Sequence, residues 1–145
     1  MVKVACIGAG LVGRAWAVVF ARARHEVWLY DAVDGEAART AIPRARETLS
    51  VLAAGSMLTE PEDAIAARFH AASSIAEAVA GAAFVQESVK EEVGVKRAVF
   101  EEIDAAAPFD CIFASATSAI RGSEFLLTLT HPERALVANP SIHRR

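Results

Sequence analysis

The chain has 145 residues, 54% hydrophobic and 23% charged, with a formal net charge of −3. That is the size of one domain with enough apolar side chains for a sizeable core, which excludes a disordered chain. The basic residues form no run or stripe, which argues against a nucleic-acid surface, and no apolar run nears the roughly 18 residues of a membrane span.

Val4-Ala5-Cys6-Ile7 reads as a first strand, and Gly8-Ala9-Gly10-Leu11-Val12-Gly13 follows without a gap. A helix is predicted next, since Leu11, Trp16, Val19 and Phe20 recur at spacings of three to five. Strand, Gly-x-Gly-x-x-Gly and helix together form the arrangement that holds a dinucleotide diphosphate. Gly8 permits the tight turn, Gly10 lets phosphate oxygens approach the backbone, and Gly13 lets helix and strand pack closely. The helix N-terminus, at Leu11 and Val12, offers unpaired N–H groups and a partial positive charge to the anion.

His25-Glu26-Val27-Trp28-Leu29-Tyr30 reads as the second strand, closed by Asp31, eighteen residues after Gly13. A carboxylate there accepts hydrogen bonds from the adenosine ribose and repels the extra phosphate of NADP. Ala32, Val33 and Asp34 follow with no basic residue, so NAD is the expected cofactor. The bland alternative is a strand and turn with a capping Asp and no ligand.

From about Gly35 to Ala54 a long helix is predicted from Ala37, Ala41, Ala45, Leu49 and Leu52, with Pro43 a candidate kink and Gly55 placed to end it. Thr59-Glu60-Pro61-Glu62 reads as the capped start of a short helix. This helix-turn-helix excursion replaces a single crossover helix, as a surface hairpin or a binding arm. Arg68 to Ala71 is a short strand, and Ser74-Ile75-Ala76-Glu77 a capping box opening a helix to about Ala80. Ala82 to Glu87 is a strand whose carboxyl end, at Glu87, is the next place to seek a ligand. Glu91 to Ala106 reads as helix, Cys111 to Ala114 as strand, Gly122 to Thr128 as a short helix, and Arg134 to Ala138 as a last strand broken by Asn139-Pro140-Ser141. The alternation implies an α/β, Rossmann-like, doubly wound and mostly parallel sheet. Cys6 and Cys111 fall in buried strands and read as inert thiols of a reducing compartment. The N-terminus lacks the segments of a signal peptide, so a cytoplasmic protein is expected. No C-x-x-C or H-x-x-x-H spacing occurs, and no metal is expected.

Gly8 to Ala17, Leu29-Tyr30-Asp31, Val85-Gln86-Glu87-Ser88-Val89, Ser115-Ala116-Thr117-Ser118 and His131-Pro132-Glu133-Arg134 together resemble the NAD-binding domain of the L-3-hydroxyacyl-CoA dehydrogenase superfamily. Gly13-Arg14-Ala15-Trp16-Ala17 and Gln86-Glu87 are most similar to its lambda-crystallin and L-gulonate 3-dehydrogenase branch. The resemblance covers residues 1–140 and leaves 141–145 as a tail unlike the family. It implies hydride transfer from a 3-hydroxyl to NAD, a small 3-hydroxy acid or 3-hydroxyacyl-CoA substrate, a place in fatty-acid metabolism, and a homodimer for the full-length family. It also implies that Gly8, Gly10 and Gly13 meet the diphosphate, Asp31 the adenosine ribose, and Glu91 and Lys96 the nicotinamide-ribose side. Ser118 would hydrogen-bond the reacting oxygen. The plainer readings are a turn-stabilising Ser118 and a solvated helix face for Glu91 and Lys96.

The departures bear on activity. Asn139 stands where the family has its histidine base, and an amide cannot take an alcohol's proton. Ala116 replaces a polar or hydroxyl residue, and Arg121 stands where proline is common. His143 is a candidate displaced base in the tail. The glutamate partner of the histidine and the helical C-terminal domain of the family fall beyond Arg145. A polypeptide that binds NAD with little or no turnover is therefore expected. A non-catalytic NAD-binding module is the alternative, and a dehydrogenase of another Rossmann family is argued against by Gln86-Glu87 and Ser115–Ser118.

Overall fold

The computed structural model of the chain describes residues 1–31 and 37–139. Ala32 to Asp34, the predicted helix start at Gly35, and the tail with Ser141 and His143 lie outside the described residues. The chain runs β1 (Lys3–Ile7), α1 (Leu11–Arg22), β2 (Glu26–Tyr30), α2 (Ala37–Ala54), α3 (Glu62–Ala66), β3 (Phe69–Ala71), α4 (Ile75–Val79), β4 (Phe84–Glu87), α5 (Val93–Ala106), β5 (Ile112–Ser115) and β6 (Ala135–Val137).

The six strands form one sheet in the order β3-β2-β1-β4-β5-β6, and every pairing is parallel. This is the doubly wound order, in which the path reverses between β1 and β4 and opens a crevice at their carboxyl ends. Period-two alternation sorts the strand side chains. Cys6, Val27 and Leu29 join Ala17, Ala21, Ala45 and Leu49 of α1 and α2 in one core. Ala5, Ile7, Val85 and Phe113 join Ile75, Val79, Phe100, Ile103 and Phe125 in the other. Burying a side chain such as Phe100 completely contributes about 1.5–3 kcal/mol. Both cysteines are buried and unpaired. Burial pushes the Cys6 thiol up to about 12 and the Cys111 thiol to about 11, so both stay protonated and inert.

Four sequence expectations are modified. Gly55 does not itself reverse the end of α2. The left-handed residue is Ser56 (φ 56°), whose N–H donates to the Ala53 carbonyl at 2.9 Å while Met57 N–H reaches the Leu52 carbonyl at 2.8 Å. That is a Schellman closure one residue later than expected. Thr59 does not cap α3; Pro61 precedes the first helical residue and no side-chain cap is made. Pro61 itself is extended (φ −56°, ψ 139°) and its carbonyl takes the first helical hydrogen bonds, so it is the cap and the helix starts only after it. Ser74 does cap α4, accepting from Glu77 N–H at 3.1 Å, but the Glu77 carboxylate answers Ser73 rather than Ser74. Residues 122–128 make only a 3₁₀ turn at Gly122–Glu124, because Phe125 and Leu126 turn into the core.

A second 3₁₀ turn, Pro132–Arg134, delivers β6. Arg134 is buried there, donating to Asp104 Oδ1 at 2.5 Å and to the Pro108 carbonyl at 2.6 Å, with Phe113 under its guanidinium. Asp104 also accepts from the N–H groups of Thr130 and His131. No helix of the described residues is long and apolar enough to cross a membrane.

Candidate functional site

The three glycines of the turn after β1 differ in what surrounds them. Gly8 has φ +99°, and a Cβ there would lie 2.6 Å from the Ser88 carbonyl carbon and oxygen. A Cβ on Gly13 would lie 1.8 Å from the Gly8 carbonyl oxygen, so helix and turn touch backbone to backbone. A Cβ on Gly10 would meet nothing within 4 Å. The space beside Gly10 is therefore open, as close approach by a phosphate requires. Gly10 precedes α1 without a side-chain cap, and no acidic residue sits in the first turn. Among the described residues the first-turn N–H groups of Leu11, Val12 and Gly13 thus meet no capping side chain, and such groups suit an external anion. Asp31, at the end of β2, accepts from Ala9 N–H with Oδ2 at 2.8 Å, which ties the second strand's carboxylate to the glycine turn.

Two cavities flank this turn. One, of about 190 Å³, is lined by Gly8, Gly10, Asp31, Ser88, Val89, Lys90 and Val95. The other, of about 230 Å³, is lined by Val12, Ser88, Val89, Glu91, Lys96, Ala116 and Ser118. The structure thus brings Gly8, Gly10 and Asp31 to one cavity, and Val12, Glu91, Lys96 and Ser118 to the other.

Behind the second cavity lies a polar chain. Glu87 is completely buried. One of its carboxylate oxygens accepts from Lys96 Nζ at 2.8 Å and from Val89 N–H at 2.6 Å, and the other accepts from the Ser115 hydroxyl. Glu87 and Ser115 meet because β4 and β5 place them in register. Glu87 therefore sits beneath the cleft floor rather than in it, braced by three donors. Lys96 is also buried and reaches Glu91 at 3.4 Å. Glu91 in turn accepts from the Thr117 hydroxyl and from the N–H groups of Ser118 and Ala119, both at 3.1 Å. Burial pushes the Glu91 carboxyl up, but the bonds from Thr117, Ala119 and Ser118 and the Lys96 charge outweigh it and hold it down at about 2. The result fixes the turn that carries Ser118, whose side chain is exposed at the cavity.

Asn139 reaches the same turn, donating from Nδ2 to the Thr117 carbonyl at 3.2 Å. Sequence reasoning gave no separate role to Ser115 or Ser88. Their only signal is position, each at the carboxyl end of a central strand, where such sheets bind ligands.

The family model for the NAD-binding domain of 3-hydroxyacyl-CoA dehydrogenase matches residues 3–141. The L-carnitine dehydrogenase/betainyl-CoA thioesterase of Rhizobium meliloti is 38% identical over 95% of this chain and 27% of its own length. The human lambda-crystallin homolog is 30% identical over 94% of this chain and 43% of its own. The solved structure of 3-hydroxybutyryl-CoA dehydrogenase from Escherichia coli K12 superposes with a TM-score of 0.86 at 29% identity, covering 96% of this chain and 29% of that one. The chain thus spans less than half the length of each. The parallel sheet, the glycine turn and these matches agree, and the chain belongs to the NAD-binding domain family of the 3-hydroxyacyl-CoA dehydrogenases.

Proposed function

We propose that this domain supplies the cofactor half of a dehydrogenase that oxidises the hydroxyl of a small 3-hydroxy acid or its CoA thioester. In this reading Gly8, Gly10 and Gly13, with the N–H groups of Leu11 and Val12, cradle the diphosphate of NAD. Asp31 holds the adenosine ribose, and Glu91 and Lys96 border the nicotinamide ribose, with Glu87 bracing Lys96 from below. When bound, NAD accepts the hydride of the alcohol carbon. Ser118 orients and polarises the reacting oxygen beside it, and a positioned donor of this kind lowers the entropic part of the barrier. One observation carries the reading: the chain Glu87–Lys96–Glu91–Thr117 holds Ser118 at a cavity that adjoins the glycine turn. L-carnitine, named for several relatives, is itself a 3-hydroxy acid and heads the substrates to try.

Calorimetric titration with NAD and NADP tests the cofactor assignment. NAD should bind more tightly than NADP by tenfold or more, and Asp31→Asn should erase most of that preference, since a hydrogen bond to a charged group contributes about 1.5–3 kcal/mol. Equal affinity for both in the wild type defeats the role of Asp31.

Asn139 favours a second reading, a domain that binds NAD without contributing a base. Its amide has no useful pKa for proton abstraction and is already committed to the Thr117 carbonyl. NAD binding with no NADH formed from L-carnitine or 3-hydroxybutyrate supports this second reading, and NADH formation returns the first.

A further inference from the structure

Ser88 follows β4 directly, and its backbone is fixed on both sides. Its N–H donates to the Ile7 carbonyl at 2.8 Å, and its carbonyl lies where a side chain on Gly8 would collide. Its Cβ faces Gly13, 3.8 Å from the place a Cβ would take there. The side chain is thus wedged between the two ends of the glycine turn. Its hydroxyl is shielded from water and meets no hydrogen-bond partner among the described residues. A hydroxyl in that condition is a destabilising feature unless a partner arrives. Ser88 also borders both cavities flanking the turn, together with Val89.

We propose that the Ser88 hydroxyl is a cofactor contact, donating to the diphosphate of NAD where its two halves meet. The assignment rests on the reading that this site takes NAD. If each cavity receives one half of the dinucleotide, Ser88 and Val89, which line both, stand at the junction, and of the two only Ser88 has a side-chain donor. That junction carries phosphate oxygens, which are strong acceptors, and a hydroxyl is a donor. The unmatched hydroxyl of the free protein is satisfied when the cofactor enters.

The experiment compares Ser88→Ala and Ser88→Cys with the wild type by calorimetric titration with NAD, ADP-ribose and AMP, and by thermal melting without ligand. Both variants should lose about tenfold in affinity for NAD and ADP-ribose, which carry the diphosphate, and less than about twofold for AMP, which does not. Their ligand-free melting temperatures should equal or exceed that of the wild type, because the hydroxyl has no bond to lose. NAD affinity unchanged in both variants overturns the assignment, as does an equal loss for AMP. A fall in ligand-free melting temperature, or failure of both variants to fold, also overturns it by showing that the hydroxyl serves the fold. A wild-type chain that binds none of the three ligands defeats the cofactor reading and this assignment with it. Wild-type binding with unaltered variants defeats this assignment alone.

Discussion

At the scale of the residue, the three glycines separate folding from binding. Gly13→Ala forces a Cβ into the Gly8 carbonyl and should destabilise by about 1–3 kcal/mol or more, read by urea denaturation. Gly10→Ala places its Cβ in open space at φ −65°, ψ −169°, a conformation open to alanine. It should fold with nearly wild-type stability yet bind NAD far more weakly, as calorimetry will show; a Gly10→Ala variant with intact affinity would put the phosphate elsewhere. Glu91 makes a prediction in pH. Its folded-state pKa of about 2 lies below the ordinary 4.5, so its contribution to stability is complete above about pH 4.5 and disappears as pH falls towards 2. Melting temperatures followed from pH 5 to about 2 should therefore fall less steeply in Glu91→Gln than in the wild type. The glycines and Asp31 were legible in the sequence because their spacing along the chain is itself the motif. The burial of Glu87 was not, because its partners Lys96 and Ser115 are reached only through the β4–β5 register and the docking of α5.

At the scale of the element, strand and helix identities followed from apolar periodicity, while the ends depended on contacts the pattern does not encode. Ser74 capped as its local sequence says. Gly55 and Thr59 did not act as theirs suggests, since Met57 closes back on Leu52 and Pro61 delays the next helix. Nothing in residues 122–128 announces that Phe125 will be buried fully after a single 3₁₀ turn. Ser56 offers a direct check on the α2 closure. A left-handed conformation is strained for serine and natural for glycine, so Ser56→Gly should stabilise by about 0.5–1 kcal/mol in chemical denaturation. A loss of stability would mean that the closure differs from the one described.

At the scale of the whole molecule, the second half of the sheet hangs on one buried cation. Arg134 joins the start of β6 to Asp104 of α5 and to the turn before β5. Arg134→Met should lower stability by about 3–5 kcal/mol in guanidinium denaturation, because Asp104 would remain buried without its charge partner. A change under about 1 kcal/mol would show that Thr130 and His131 alone satisfy that carboxylate. The alternation of strands and helices implied a doubly wound sheet but not this tie, since Arg134 was read only as the first residue of the last strand and as part of the His131–Arg134 motif, and neither reading names Asp104 as its partner. The polar chain from Glu87 through Glu91 to the Ser118 turn joins β4, α5 and β5, and Asn139 fastens the exit of β6 to it. Thermodynamic reciprocity then binds the two ends of the crevice together. Any molecule that resets the Ser118 turn and so alters the dinucleotide's affinity must have its own affinity altered by that dinucleotide through an equal factor.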